Sequence, residues 1–374
     1  MKIPIRHTCA DFDSYRAARV KSMFNVENGC NFTRDFELPV EGRDWQIGLV
    51  VGPSGSGKTS IGNALANGIT DIRAGWPADR PIIDAIAEDA EFDAVTRALA
   101  SVGLGDVPAW LRPFHVLSNG EQFRAGLARL ISDAPPFAVI DEYSSVVDRQ
   151  IAKVASRSFA KSWRRTTGQC VLLSCHYDIV EWLQPDWLLD TSTGHFQWRC
   201  RRQPPRITLE IHRVDGSHWP LFEPHHYLKL PRPIAARYYL GTIQGRPVCH
   251  VATTPRLEHG AMRAARLVVL PEWQGIGLGT LFLSEVCRLS MTTENTFGQR
   301  LWRGVYFNTS HPGLIASLRK APNWRQVSAS LYGSNKARSA AMILAARQPG
   351  NTITGTGYGG HFRGTVGFLY VPAP

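Results

Sequence analysis

Residues 49–60 read LVVGPSGSGKTS, and this stretch constrains the chain more than any other. The apolar run Ile47 to Val51 has the length and composition of a buried strand. Three glycines follow, Gly52, Gly55 and Gly57, and then Lys58 and Thr59 open a helix-compatible stretch. Glycines in this pattern let successive backbone N–H groups curl around one anion, beside a helix N-terminus whose dipole favours negative charge. The lysine adds a positive charge for the β- and γ-phosphates of a nucleotide, and the threonine hydroxyl adds a ligand for Mg²⁺. Gly52, Pro53, Ser54, Gly55, Ser56, Gly57, Lys58, Thr59 and Ser60 are therefore expected to line an ATP phosphate site in an α/β domain.

A second motif supplies carboxylates. In FAVIDEYSSVVD the apolar residues Phe137 to Ile140 form another strand that ends on Asp141 and Glu142. Asp141 is suited to hold Mg²⁺ together with Thr59, and Glu142 to orient or deprotonate the attacking water.

Between the two lies LSNGEQFRAGLARLI, with Ser118 and Gly120 at the start of an amphipathic helix. It resembles the signature of the ABC ATPases, in which this helix start caps the γ-phosphate bound to the opposite subunit. The resemblance extends to SSVVD, ending at Asp148, as the D-loop. It also covers VLLSCHYD, with His176 as the γ-phosphate switch histidine, and PDWLLDTSTGHFQW as the closing hairpin. Together these imply an ABC-type ATPase domain over 1–199, an ATP-dependent homodimer, and catalytic roles for Glu142 and His176. Two departures stand out. No glutamine lies between Gln46 and Gln122, where the family's Q-loop residue belongs, and the helical insert after Lys58 is short. The reduced insert argues against coupling to a membrane subunit. An upstream aromatic residue, Phe24 or Phe32, is available to stack on adenine or to fill the core.

After Trp198 the sequence RCRRQPPR reads as a stiff basic linker over 200–206. A new pattern then begins. ARYYLGTIQGRPVCHVATT reads as two strands about the turn Gln244-Gly245-Arg246. In ARLVVLPEWQGIGLGTLFLSEVCRLS, Leu267 to Leu270 is a strand and Leu278 to Leu289 an apolar-rich helix. The intervening Gln274, Gly275, Ile276, Gly277, Leu278 and Gly279 have no following Lys-Ser/Thr and no acidic ribose partner, which disfavours a dinucleotide site.

This stretch resembles the pyrophosphate loop of GNAT acyltransferases. The resemblance implies an α+β GNAT-fold domain over 207–374, with acetyl-CoA or another acyl-CoA as cofactor. Amides of residues 275–279 would hold the pyrophosphate, and Val268, Val269 and Leu270 would offer backbone hydrogen bonds to the pantetheine arm. The tyrosine that many members use to protonate the leaving thiolate has no counterpart in LIASLRK, where Arg319 stands instead. One segment lies outside the core pattern, LFEPHHYLKLPRP. It faintly resembles a His-Tyr segment of phage Mom-type enzymes, relatives that modify adenine in DNA. His225, His226 and Tyr227 are there either an acceptor site, as base and stacking platform, or a packed loop.

The net charge of +11 favours a polyanionic partner, nucleic acid in particular, or else describes a solvated basic surface. Hydrophobic residues make up 44% and charged residues 20%, and no run of about 18 apolar residues occurs, so a cytoplasmic protein without a membrane span is expected. Seven scattered cysteines, none at CxxC spacing, read as free thiols. Three functions stay open: acylation of a nucleic-acid base, acylation of a protein or small amine with the ATPase as a switch, and a non-catalytic module on a DNA-sensing ATPase.

Overall fold

The computed structural model describes residues 1–8, 12–24, 32–66, 68–198, 205–227, 233, 235–256, 260–292, 304–331 and 364–372. In chain order the first elements are β1 (Lys2–His7), α1 (Tyr15–Phe24), β2 (Phe32–Glu37), β3 (Ile47–Val51) and α2 (Lys58–Leu65). A helical segment follows, with α3 (Ile82–Ala85), α4 (Phe92–Ser101), α5 (Val107–Trp110) and α6 (Asn119–Asp133). Next come β4 (Phe137–Ile140), α7 (Arg149–Trp163), β5 (Gln169–Ser174), α8 (Val180–Leu183), β6 (Trp187–Asp190) and β7 (His195–Trp198). The rest of the chain holds β8 (Glu210–Val214), α9 (Trp219–Phe222), β9 (Arg237–Ile243), β10 (Arg246–Arg256) and β11 (Ala261–Val269). It ends with α10 (Leu278–Met291), β12 (Val305–Thr309), α11 (Pro312–Lys320), β13 (Trp324–Ser330) and β14 (Thr365–Tyr370).

The chain divides into two compact units. One is built from Met1–Gly75 with Asp133–Pro205, the other from Trp76–Ser132 with Arg206–Pro374. The helical segment that carries the signature thus groups with the C-terminal half.

The first unit is a five-stranded sheet in the order β4-β5-β3-β6-β7. β3 runs parallel to both β5 and β6, and every one of its residues is buried, as expected for a strand covered on both faces. Its core joins Val50, Ile61, Val139, Leu173 and Trp187 to Ile3, Ile5 and Phe36 of the antiparallel pair β1-β2. Asp186 fixes the start of β3. Its carboxylate accepts from the N–H groups of Gln46 (2.9 Å) and Ile47 (3.0 Å) and pairs with Arg164 (3.0 Å).

The second unit contains a seven-stranded sheet in the order β13-β14-β12-β11-β10-β9-β8. Neighbours are antiparallel except β11 and β12, which run parallel over three pairs only, Met262–Val305 to Ala264–Phe307. Beyond Ala264 the two strands part. Helix α10 covers one face through Leu278, Phe282, Leu283 and Val286, packed on Val251, Met262 and Phe307. Trp219 and Phe222 of α9 cover the other face over Leu240, Val268 and Leu270. The helical segment adds α4, whose Ala100 lies where a Cβ on Gly313 of α11 would come within 2.6 Å.

Three details differ from the sequence reading. The hairpin turn is Gln244-Gly245 alone (φ 51° and 74°), a pair of left-handed residues matching the strand twist, and Arg246 already belongs to β10. The helix runs on to Met291. A further strand, β8, precedes the hairpin and pairs with β9, so the His225–Tyr227 segment lies between paired strands rather than before them. The period-two apolar residues Ile207, Leu209 and Ile211 pack on the core and were its sequence signal. Phe24 is 67% exposed and fills no core. Among the described cysteines Cys170, Cys249 and Cys287 are buried and Cys175 is exposed, all of them free. Residues 199–204 lie outside the described residues, as do Lys336 and Arg338, two basic residues that follow β13 in sequence.

Candidate nucleotide site and second glycine loop

The nucleotide loop emerges from the buried end of β3 and closes on α2. Gly52, Gly55 and Gly57 all have positive φ (154°, 77° and 90°). At Gly52 the constraint is also steric, since a Cβ would meet the Thr191 hydroxyl at 1.9 Å. Pro53, Ser54 and Gly55 are exposed at the loop apex, while Ser56 is buried and bonds to the Pro53 carbonyl (2.8 Å) and Thr191 (2.5 Å). Lys58 Nζ folds back onto the carbonyls of Gly52 (2.9 Å) and Pro53 (2.8 Å). Ser60 turns its hydroxyl to His7 of β1 (2.7 Å).

The sheet brings the carboxylates to this loop. β5 lies between β3 and β4, so the C-terminal ends of both strands reach one edge. There Thr59 Oγ1 donates to Asp141 Oδ2 at 2.6 Å, uniting two residues far apart in sequence. A hydroxyl and a carboxylate in contact are the hard oxygen donors that suit Mg²⁺. Glu142 follows with its side chain exposed and its backbone in the left-handed region (φ 48°), and its N–H donates to Asp141 Oδ1 (2.7 Å).

Ser174 ties the two strand ends together. Its hydroxyl donates to the Tyr143 carbonyl (3.0 Å) and accepts from the His176 N–H (3.1 Å). Partial burial lowers the His176 pKa, the nearby Arg149 charge adds to that, and Asp178 opposes it. Asp148 caps α7, accepting from the N–H of Gln150 (2.8 Å). Sequence reasoning passed over Ser174, whose signal was a polar residue closing the apolar run of β5.

The signature segment belongs to the second unit. Ser118 precedes α6 and forms a reciprocal cap with Glu121, which accepts from the Ser118 N–H (2.8 Å) and hydroxyl (2.7 Å). Gly120 is buried in the first turn.

The second glycine loop connects β11 to α10. Gly275 (φ 96°) and Gly277 (φ 86°) are left-handed. Gly277 is exposed directly before the helix, and a Cβ on Gly279 would come within 3.2 Å of the Val269 side chain. Leu278 is buried, and Ile276 packs against the core. Gln274 points away from the loop, its Nε2 donating to the Val269 carbonyl (2.9 Å) and its Oε1 accepting from the Gly105 N–H (3.0 Å). The Leu270 N–H is likewise engaged, on the Val248 carbonyl (2.9 Å), so two of the backbone groups expected to face a pantetheine arm already have partners. A bulge at Arg266 (φ 59°), opposite Val251, shifts the β11 register just before Val268.

Of the His-Tyr segment, His226 is buried against Trp219 (5.8 Å) and stacks on Tyr227 (5.0 Å), whereas His225 is exposed. Beside them His250 is enclosed by Trp219, Phe222 and Tyr238, and burial pulls its pKa down to about 4. Among the described residues no helix is long and apolar enough to cross a membrane.

No family model matches the chain. Curated proteins similar to it include the cytochrome c biogenesis ATP-binding export protein CcmA of Pseudomonas fluorescens, 38% identical over 98 residues, which cover 25% of this chain and 43% of that protein. The chain therefore spans less than half of that relative. The protein of the same name from Pseudomonas putida is 28% identical over 208 residues, covering 44% of this chain and 93% of the relative. That from Pseudomonas savastanoi pv. phaseolicola is 30% identical over 158 residues, 31% of this chain and 72% of the relative. A dimeric bacterial ABC transporter cassette aligns with a TM-score of 0.33 at 12% identity, over 43% of this chain and 84% of that one. By its likeness to the Pseudomonas savastanoi protein, the chain belongs to the ABC ATPase family.

Proposed function

We propose that the chain is an ABC-type ATPase joined to a GNAT-fold acyltransferase, which moves an acyl group from acetyl-CoA or another acyl-CoA to a nitrogen, with nucleic acid as the favoured partner. The ATPase part spans 1–199 in sequence, the linker 200–206 and the transferase 207–374. The observation that carries the reading is the place of the 274–279 loop. It follows β11, which runs parallel to β12 only as far as Ala264, and leads directly into α10, so glycine amides and a helix start adjoin in the chain. An order of seven strands with one parallel pair at the splay supports the GNAT assignment.

At the nucleotide site Lys58 neutralises the β- and γ-phosphates. Thr59 and Asp141 would hold Mg²⁺, which when bound spreads the charge that develops on those phosphates. Glu142 orients the attacking water and takes its proton. His176, its pKa lowered by partial burial and the Arg149 charge, offers a hydrogen bond to the γ-phosphate side. Ser118 and Gly120 complete the site on a second copy, which makes the active species an ATP-dependent homodimer. Ser118 must exchange its bond to Glu121 for the phosphate.

In the transfer step the acceptor nitrogen attacks the thioester carbonyl carbon. A C–N bond forms, the C–S bond breaks, the CoA sulfur leaves with the electron pair, and a base takes the nitrogen's proton. His225, His226 and Tyr227 are the proposed acceptor-site groups. Of these His225 has open access to solvent. The net charge of +11 supports a nucleic-acid acceptor, and a base inside a duplex costs a few kcal/mol to unstack, a use for the energy of the nucleotide.

The test is calorimetry with acetyl-CoA on the wild type and Gly277→Glu, followed by labelled acetyl-CoA with duplex DNA, single-stranded DNA, RNA and protein acceptors. CoA binding lost in the variant and label in nucleic acid are expected. Absent CoA binding overturns the transferase reading, and label in protein or in small amines alone moves the acceptor to that class.

A further inference from the structure

Arg124 lies on the buried side of α6, in a stretch that otherwise reads Phe, Ala, Gly and Leu, and is 4% exposed. Its recorded hydrogen bonds go to carbonyls: Nε to Gly120 (3.3 Å) and Nη1 to Gly103 (3.3 Å) and Pro271 (2.6 Å). Burial brings its pKa down to about 10, with Glu121, Glu272 and Asp106 opposing at longer range, so it stays charged at neutral pH. A buried cation satisfied by carbonyls favours anions nearby. Gly120 belongs to the signature, and Pro271 opens the turn that leads into the 274–279 loop.

A second set of contacts joins the same two parts. The Gly105 peptide is held on both sides, its N–H by Gln274 Oε1 (3.0 Å) and its carbonyl by His311 Nε2 (3.1 Å). His311 Nδ1 accepts from the Leu314 N–H (3.3 Å), which leaves Nε2 as the donor. Trp110 sits edge-on to the His311 ring at 5.7 Å. The fit has no slack, since a Cβ on Gly103 (φ 83°) would reach the Gln274 carbonyl oxygen at 2.4 Å. Tight packing of this kind transmits displacement rather than absorbing it.

We infer that Arg124 is a positioning residue shared by both anion sites: it ties the signature helix to the acyl-CoA loop, so that engagement of nucleotide at the start of α6 orders that loop and tightens acyl-CoA binding. The inference rests on the ABC and GNAT readings above. Coupling of this form is reciprocal, and acyl-CoA would in turn favour the nucleotide-bound dimer.

The experiment uses the full chain carrying Glu142→Gln, with and without Mg-ATP. Amide hydrogen exchange is followed across 271–283, and acetyl-CoA affinity is measured by calorimetry. ATP is expected to slow exchange in this loop and to raise acetyl-CoA affinity by at least about fivefold. Adding Arg124→Gln should abolish both responses, and Arg124→Lys should restore part of them. A merely structural arginine would lower affinity equally in both nucleotide states. Protection across 52–60 reports ATP binding in the same samples. If acetyl-CoA binds in neither state, the transferase reading fails, and the ATP response of loop exchange still decides the joint. Loop exchange indifferent to ATP while 52–60 is protected, or an acyl-CoA affinity unchanged or lowered by ATP, overturns the inference.

Discussion

Gly57 and Gly277 hold nearly the same backbone conformation, φ 90°, ψ 11° and φ 86°, ψ 7°, each directly before a helix. In both places a left-handed glycine leads directly into a helix, whose free N-terminal amides favour an anion. The loops diverge immediately afterwards. Lys58 and Thr59 follow the first, Leu278 and Gly279 the second, so the second loop offers amides and a helix dipole without a cation of its own.

Glycine replacements should therefore separate the two loops by mechanism. Around Gly277 nothing lies within 4 Å of an added Cβ, so Gly277→Ala costs only backbone strain, about 1–2 kcal/mol. It should leave the protein folded and ATP binding intact while weakening acetyl-CoA. Gly52→Ala collides with Thr191 and should abolish ATP binding. Nucleotide and acyl-CoA titrations of both variants check this, and a loss of both ligands in Gly277→Ala would contradict it.

Glu142→Gln should slow ATP turnover by at least about 100-fold, because a positioned general base contributes about 10²–10⁴. The variant should accumulate as a dimer with ATP and return to monomer with ADP. Light scattering at high protein concentration reads the mass directly. A monomer in saturating ATP would count against the shared site.

Asp186 offers a stability test of the nucleotide strand. Burial alone would raise its pKa, but the N–H groups of Gln46 and Ile47 and the Arg164 charge outweigh it and hold the carboxylate below its usual range. Its contribution is present above the ordinary carboxylate pKa and is lost as pH falls through the lowered one. Asp186→Asn should cost about 3 kcal/mol at pH 7, since it leaves Arg164 without its ion pair. Denaturant titration measures it, and a loss below about 0.5 kcal/mol would show that the network is dispensable.

His250 gives the second unit an acid limit. Its folded pKa of about 4 lies below the 6.5 of an exposed imidazole, so the unfolded chain binds more protons between those values. Stability should fall by up to about 3 kcal/mol as pH drops from about 6.5 to about 4. His311 shifts in the same direction through burial, so the informative quantity is the difference between wild type and His250→Phe. Parallel stability curves for the two would refute the assignment.

Nucleic acid should bind with steep salt dependence. Arg319, Lys320 and Arg325 are exposed around α11 and β13. If about five phosphates are neutralised, log affinity falls against log salt with a slope of about −4 to −5. Fluorescence anisotropy with DNA and RNA at two salt concentrations reads the slope. Weak binding that ignores both salt and ATP would favour a protein or small-amine acceptor.

The two glycine loops and the strands before them were legible because local chemistry fixes them: an apolar run, left-handed glycines, then an amphipathic helix. Thr59 and Asp141 were legible as partners because each motif implies the other. The Gly105–Gln274–His311 contact was not. Its residues are glycine, a loop glutamine and a histidine beside proline, each with an ordinary local explanation, and only tertiary packing brings them together. Arg124 left one trace, a charge on the apolar side of a helix, which reads equally as a solvated residue until the register of α6 is known. β8 was overlooked because its alternation, Ile207, Leu209 and Ile211, falls mostly before the strand, next to the basic linker, and the five strand residues are only half-buried.

The chain crosses from one unit to the other at 75/76, returns at 132/133 and crosses again at 205/206. Such a protein is not two beads on a string that recombination can exchange at the linker. A gene break near 205 would strand residues 76–132 with the wrong half and expose the faces of α4 and Trp110 that now meet α11 and His311. Inheritance must keep the halves together, and a substitution at Gly103, Gly105 or Gly313 in one lineage calls for an answering change on the other side of the joint. Among relatives of this chain the two halves should therefore change in step, where a freely shuffled pair would drift independently.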